Sequence, residues 1–474
     1  MRTGLPVAVA VAVAVAVAVA APAEAQPFTR AISDGGALLG DPRLADAVLA
    51  RGARAGARVA RLPLIWSRVE SGMFLPLDPT DPADPAYDFS AVDTLARLAV
   101  RHGLTPLLRV GGAPWRYEAP ERWRFAAGGT WAPDPAAYRR FATAAARRYS
   151  GRFPDPLDPG STLPRVGLWQ AWNEPNLPRF LQPQWVAQDG AWTAWSPAQY
   201  RALLNAFYDG VKGVDHANVV ATAGTAPNGD PRDGEGRMTP VRFWQELLCL
   251  GSGPVPHRER CDDPARFDVL AHHPLTVTDP DVAARDAGNV SIADIYKLKR
   301  LLALSGHRHA RLWVTEVNWD TGSRGAGAKQ IQRWVPRALF RLWREGVDLV
   351  AWQFVRDPAD KPDHPAGLYR IDRAAPLDPA RDRPKRAVIR AFRFPFTGVR
   401  RDRRHVEVWA LLPRAGSARV TLQRRAGRRW RTLRHITAST DGIVHTVVAL
   451  RGHAILRLAR PAGAPSGDWS VGVR

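Results

Sequence analysis

Eight times in succession, a strand-length apolar run is followed by a stretch that is apolar at helical spacing. The runs fall at 28–34, 57–66, 104–110, 166–174, 218–224, 267–274, 312–316 and 347–355. The helical stretches fall at 41–57, 88–101, 135–149, 196–214, 240–250, 292–304, 328–345 and 384–392. Strands apolar on both faces, each followed by a helix, form a parallel sheet whose outside the helices cover. Eight such units predict the α/β class and a closed (β/α)8 TIM barrel over residues 26–394, with its working end at the C-terminal ends of the strands. A doubly wound open sheet is the structural alternative, but no Gly-x-Gly-x-x-Gly follows the first run.

From Gly398 the helical pattern stops. Short runs at 405–412, 418–424, 430–438, 442–450 and 453–458, with turns such as Ala426-Gly427 and Asp441-Gly442, predict a small C-terminal antiparallel β-sandwich over 398–474. This segment carries 16 Arg against 4 acids. The whole chain has a net charge of +22, and only 6 of its 67 basic residues are Lys. Such an arginine surplus in a chain rich in Ala, Pro and Gly resembles a codon bias, so charge alone does not argue for nucleic acid. Contact of the C-terminal domain with an anionic polymer or cell surface is an expectation, set against a plain solvated basic face. At the other end, Arg2, the Val/Ala run 7–20 and Ala23-Glu24-Ala25 read as a signal peptide over 1–25, which predicts a secreted or cell-envelope protein. No later run is long enough to span a membrane. Export permits a disulfide between Cys249 and Cys261; two separate thiols are the alternative, and the pair lacks zinc-site spacing. A bridge closing so short a loop is worth about 3 kcal/mol.

Two strand ends carry isolated carboxylic acids among aromatics. Trp169-Gln170-Ala171-Trp172-Asn173-Glu174-Pro175 closes the fourth run, and Trp313-Val314-Thr315-Glu316 closes the seventh. Separated by 142 residues, they meet only if a closed architecture brings both ends to one mouth. A glutamate at a buried strand tip is expected to be desolvated and to hold its proton, which suits it to protonate a leaving oxygen. A capping or salt-bridged glutamate is the plain alternative for each. Arg61, within an apolar strand, needs a carboxylate partner.

These motifs resemble the retaining glycoside hydrolases of clan A, most like families 39 and 5, over about 28–394. The resemblance implies Glu174 as acid/base and Glu316 as nucleophile, with Asn173 meeting the sugar beside the nucleophile. By the same resemblance Arg61, in Val59-Ala60-Arg61-Leu62-Pro63, keeps the nucleophile ionised, His273 touches it, and Trp352 floors the first sugar subsite. Gly111-Gly112-Ala113-Pro114-Trp115 is similar to the third-strand loop of family 39, which brings Trp115 to the mouth; the family 5 histidine is missing there. Trp123, Trp131, Trp185, Trp192 and Trp195 also fall in loops expected at the mouth. The implied activity is double-displacement cleavage of a β-linked oligo- or polysaccharide, with no cofactor and no metal. A catalytically silent glycan-binding or envelope protein on the same barrel is the rival.

Overall fold

The computed structural model describes residues 27–120, 126–251, 256–322 and 325–472. The expected leader, 1–25, and Trp123 lie outside the described residues. Eight parallel strands close a barrel: β1 (Thr29–Ser33), β2 (Val59–Ile65), β3 (Thr105–Gly111), β4 (Leu168–Ala171), β5 (Val219–Ala221), β6 (Val269–His272), β7 (Arg311–Val317) and β8 (Val347–Gln353). They neighbour one another in sequence order, and β1 pairs with β8 to close the ring. Eight helices follow them in turn: α1 (Pro42–Arg54), α2 (Ser90–Arg101), α3 (Pro135–Arg148), α4 (Ser196–Val214), α5 (Pro240–Leu247), α6 (Ile295–Leu304), α7 (Ala328–Arg344) and α8 (Arg386–Arg393).

Local chemistry sets these boundaries. Asp41 and Asp134 each cap a helix that opens on proline, accepting from Arg43 N and Ala136 N. Inside the ring, Ala31, Val59, Leu107, Ala221, Val269, Trp313 and Leu349 form a closed apolar plug. A larger core lies between strands and helices. This division explains why the strands read as unbroken apolar runs: one set of alternate residues fills the plug, the other meets the helices.

The C-terminal part consists of two antiparallel sheets. One joins β9 (Phe396–Arg400), β10 (His405–Leu411) and β13 (Ile443–Ala449); the other joins β11 (Arg419–Ala426), β12 (Arg429–Thr437), β14 (Ala454–Ala459) and β15 (Trp469–Val471). Val406, Val408, Val444, Leu422, Leu456 and Leu458 share a core between them, so the sandwich expectation holds. The junction differs from the expected boundary at Gly398. α8 ends at Arg393, and β9 begins at Phe396 with Phe394 and Phe396 already in the sandwich core. No linker intervenes. Trp409, on the opposite face of β10, is fully buried among Phe28, Phe340 and Trp343 of the barrel. Arg30 of β1 is buried and donates to the carbonyls of Phe392 (3.2 Å), Arg393 and Leu412 (2.7 Å). Burial pushes its guanidinium down to about 9. Cys249 and Cys261 form a disulfide beside the end of α5. Among the described residues no helix is long and apolar enough to cross a membrane.

Candidate active site

Glu316 is the penultimate residue of β7 and points into the mouth of the barrel, buried at 8% exposure. Two groups hold its carboxylate. Arg61 Nη1 on β2 donates to Oε1 at 2.6 Å, and Gln353 Nε2, the last residue of β8, donates to Oε2 at 2.6 Å. Burial alone would push this carboxyl up, but the positive charge of its neighbours, His273 when protonated and Arg61 and Arg109 throughout, outweighs it and holds Glu316 below the usual carboxylate range. The buried arginine of the second strand thus has the carboxylate partner that its position demands.

Arg61 also organises its neighbours. Its Nε donates to Gln170 Oε1 at 2.6 Å, Nη2 donates to Asn173 Oδ1 at 2.8 Å, and Nη1 lies 3.2 Å from Ser33 Oγ. Asn173 therefore meets the mouth with its oxygen already engaged. Gln170, oriented by that bond, donates from Nε2 to Thr315 Oγ1 at 3.2 Å. The Thr315 hydroxyl, its oxygen accepting from Gln170, has its proton free for His273 Nε2 at 3.0 Å. With Nε2 accepting, the imidazole proton sits on Nδ1, 2.9 Å from Glu174 Oε1. One chain of hydrogen bonds thus runs from the guanidinium that holds Glu316 to the group that touches Glu174.

Glu174 lies three residues past β4, half-buried, in a turn where Trp172 (φ 70°) and Glu174 (φ 40°) both adopt left-handed backbone. Non-glycine residues there are costly and persist only where surroundings fix them. Trp172 N donates to Val110 O at 2.7 Å and Glu174 N to Gly224 O at 3.0 Å, tying the turn to β3 and to the end of β5. Gly224 has a second duty. A Cβ there would stand 2.1 Å from His273 Nε2, so only glycine leaves room for the ring.

Carboxylate oxygens of Glu174 and Glu316 and a ring nitrogen of His273 all lie within 4.8 Å of one another. That triangle is the one group of His, Cys, Asp and Glu among the described residues close enough to hold a cation. Arg61 and Gln353 already saturate much of Glu316, and two opposed carboxyl groups can work without a metal.

The implied residues fall unevenly. Glu174, Glu316, Arg61, Asn173 and His273 converge at one mouth, but the imidazole stands closer to Glu174 than to Glu316 Oε2, at 2.9 against 3.7 Å. Trp352 is a correction. It is 1% exposed, its ring packs between Trp319 and Phe392, and its Nε1 donates to Ala366 O at 3.3 Å, so it offers no face to a sugar. Trp115 is 71% exposed in the turn after β3 and remains available. Of the other loop tryptophans, Trp192 is exposed, Trp131 and Trp195 are half-buried, and Trp185 is buried. Sequence reasoning missed Gln170, Thr315, Gln353 and Arg109. Arg109 interrupts the apolar run of β3 much as Arg61 interrupts β2, and that shared anomaly could have found it. A groove of about 620 Å³ opens at Gln353 and Asn318 and continues past Phe354, Thr276, Asn228 and Asp320 over the loops after β5 to β8.

No protein-family profile and no curated protein matches the chain. Solved structures do match. A family 39 glycoside hydrolase from Bacteroides cellulosilyticus WH2 is 17% identical, covers 90% of this chain and 79% of its own, and superposes with a TM-score of 0.50. A glucosidase from Croceicoccus marinus is 15% identical over 93% of this chain and 98% of its own, also at 0.50. Fpglu1 from Fervidobacterium pennivoraus is 13% identical over 77% of this chain and 94% of its own, again at 0.50. At these identities the likeness is one of architecture, and the architecture is the (β/α)8 barrel that these solved proteins share with this chain.

Proposed function

We propose that this protein is a retaining glycoside hydrolase that cleaves O-glycosidic bonds of a β-linked glycan or glycoside. The observation that carries the reading is the pair Glu174 and Glu316, on opposite sides of the mouth, with Arg61 and Gln353 fastened to Glu316 alone. Oxygens within 4.8 Å fit the separation of about 5–5.5 Å used in double displacement, and are too close for the water that inversion needs at about 6.5–9.5 Å. Glu316, held ionised, attacks the anomeric carbon. Glu174 gives its proton to the departing oxygen, and the C–O bond breaks with its electron pair on the aglycone. In the second half Glu174 takes a proton from water, and the resulting hydroxide displaces Glu316 from the glycosyl-enzyme. His273 Nδ1–H orients Glu174 in both halves. Asn173, its oxygen occupied by Arg61, offers its amide nitrogen to a sugar hydroxyl beside the nucleophile. The long groove beyond Gln353 suits a chain of sugars.

We read residues 1–25 as an export leader, which makes this a secreted or cell-envelope enzyme, and the arginine-rich C-terminal sheets as its contact with an anionic surface. The decisive experiment pairs two variants on aryl glycosides. Glu316→Gln should abolish turnover. Glu174→Ala should lower it by about 10²–10⁴-fold, with partial recovery in azide, which needs no general base. A wild-type protein that binds glycans but turns over no aryl glycoside would instead be the silent binder.

A further inference from the structure

The charge of this molecule is segregated. Residues from 398 onward hold 16 Arg against 4 acids, which is +12 of the total +22 in about a sixth of the chain. In the barrel, the buried Arg61, Arg148 and Arg356 pair with Glu316, Asp93 and Asp382. Beyond 398, Arg401 on Glu407 is the one arginine–carboxylate pair among the described residues. The hairpin β11–β12 and its neighbour β14 concentrate the surplus. Arg419 and Arg425 emerge on the face opposite the sandwich core, where Arg425 stands across from Trp430. Arg457 joins them from β14, its guanidinium 4.1 Å above the Trp430 ring and its Nε donating to Gln423 Oε1 at 2.8 Å. Arg428 and Arg429 project at the tip. On the other side of the hairpin, in the alternation of Val420 and Leu422, Arg424 stands directly opposite Arg431, with Arg429 and Arg434 beside them, and like charges at that position repel. Among the described residues neither Arg424 nor Arg431 meets a carboxylate; Arg424 Nη2 reaches only the His453 carbonyl, at 3.5 Å.

We propose that the side of the hairpin carrying Arg424, Arg429, Arg431 and Arg434 is a second carbohydrate-binding surface, which holds the carboxylates of a polyuronate while the barrel mouth works on the chain. Cationic groups spaced by the sheet, roughly 4.8 Å across strands and about 7 Å along one face, meet a linear polyanion with forked, bidentate donors. Other polyanions fit less well. Single-stranded nucleic acid needs open aromatic platforms, yet Trp430 is capped by Arg457, and Trp409 and Trp469 are buried. A membrane surface needs an apolar face to insert, and Leu433, at 39% exposure, is the one large apolar residue exposed on this hairpin. The choice of a glycan rests on the hydrolase reading; the presence of an anion site does not.

Affinity electrophoresis of the full chain in gels containing polygalacturonate, or neutral hydroxyethyl cellulose as control, tests the proposal. Polygalacturonate should retard the protein, the neutral polymer should not, and rising salt should abolish the retardation. The triple variant Arg428→Gln, Arg429→Gln, Arg431→Gln removes exposed side chains and should keep the wild-type melting curve while binding at least about tenfold more weakly. Its turnover of a small aryl glycoside should be unchanged. Absence of salt-sensitive retardation, equal binding by the variant, or tighter binding to a DNA duplex or to phosphatidylglycerol vesicles would each overturn the assignment. Because binding is read without hydrolysis, a protein that binds polygalacturonate yet turns over no glycoside would sink the hydrolase reading and leave this surface standing.

Discussion

Thr315 does little that a sequence could announce, yet its hydroxyl, 3.0 Å from His273 Nε2, is placed to fix which nitrogen of the imidazole carries the proton. Thr315→Val keeps the shape and removes the hydroxyl, leaving His273 Nε2 without its donor and the imidazole free to turn its proton away from Glu174. Turnover should fall roughly tenfold, about the worth of one buried hydrogen bond, while Thr315→Ser restores it. Equal rates in all three proteins would remove Thr315 from the mechanism. Arg61→Gln tests the other end of the chain. Glu316 must be ionised to attack, and Arg61 helps to hold it below the usual carboxylate range. Without that guanidinium the acid limb of the kcat/KM profile should move to higher pH; an unmoved limb would show that other charges suffice. At this scale legibility followed chemistry. Glu174, Glu316, Asn173 and Arg61 stood out because polar groups at apolar strand ends are anomalies. Gln170, Thr315 and Gln353 hid because a neutral hydrogen-bonding residue in a strand is unremarked until its partners are known. Trp352 was misjudged because one indole ring serves a core or a sugar equally well in sequence.

Among the elements, β10 is the most informative. Its alternate residues go two ways: Val406, Val408 and Ala410 into the sandwich, Trp409 and Leu411 against the barrel. The sheet is a filling between two cores, which explains why Val408 to Leu412 is apolar without interruption. Trp409→Ala should cost about 3–5 kcal/mol, read as a lowered midpoint in urea, because the cavity would open between Phe28, Phe340 and Trp343. Cutting the chain at Gly398 severs β9 in mid-strand and uncovers those barrel residues, so the truncated protein should aggregate. A soluble truncation with wild-type melting would show that the two parts fold independently. Barrel strands and helices were legible in number and order, with their ends within about three residues, because periods of 2 and 3.6 separate cleanly over such lengths. β9 was not: only Phe394 and Pro395 separate its five residues from a helix, and Gly398 inside it reads as a break.

Over the whole molecule, two buried titratable groups set opposing slopes of stability against pH. Burial pushes His272 down to about 3, its ring lying between Thr225 Oγ1 and Val290 O. A depressed imidazole contributes stability that is complete above about 6.5 and lost as pH falls toward 3. Burial pushes Asp34 up to about 6, although Val355 N and Arg356 N donate to it. That group works the other way: its folded state takes a proton first, so stability is lost as pH rises from about 4 to 6. The two oppose each other across about pH 4–6. His272→Gln should leave Asp34 unopposed, so that the difference between wild-type and variant unfolding free energies shrinks by about 4 kcal/mol from pH 7 to pH 3. A pH-independent difference would mean that His272 is not neutral in the fold. The same scale holds the consequence of Arg30. Its carbonyl cage is built by residues more than 360 positions later, and β1, which also pairs with β2, completes the ring only on β8. During synthesis the first strand therefore waits, its cation solvated, until nearly the whole chain has left the ribosome. A stalled or shortened chain has no closed barrel to fall back on, and quality control meets an all-or-nothing product.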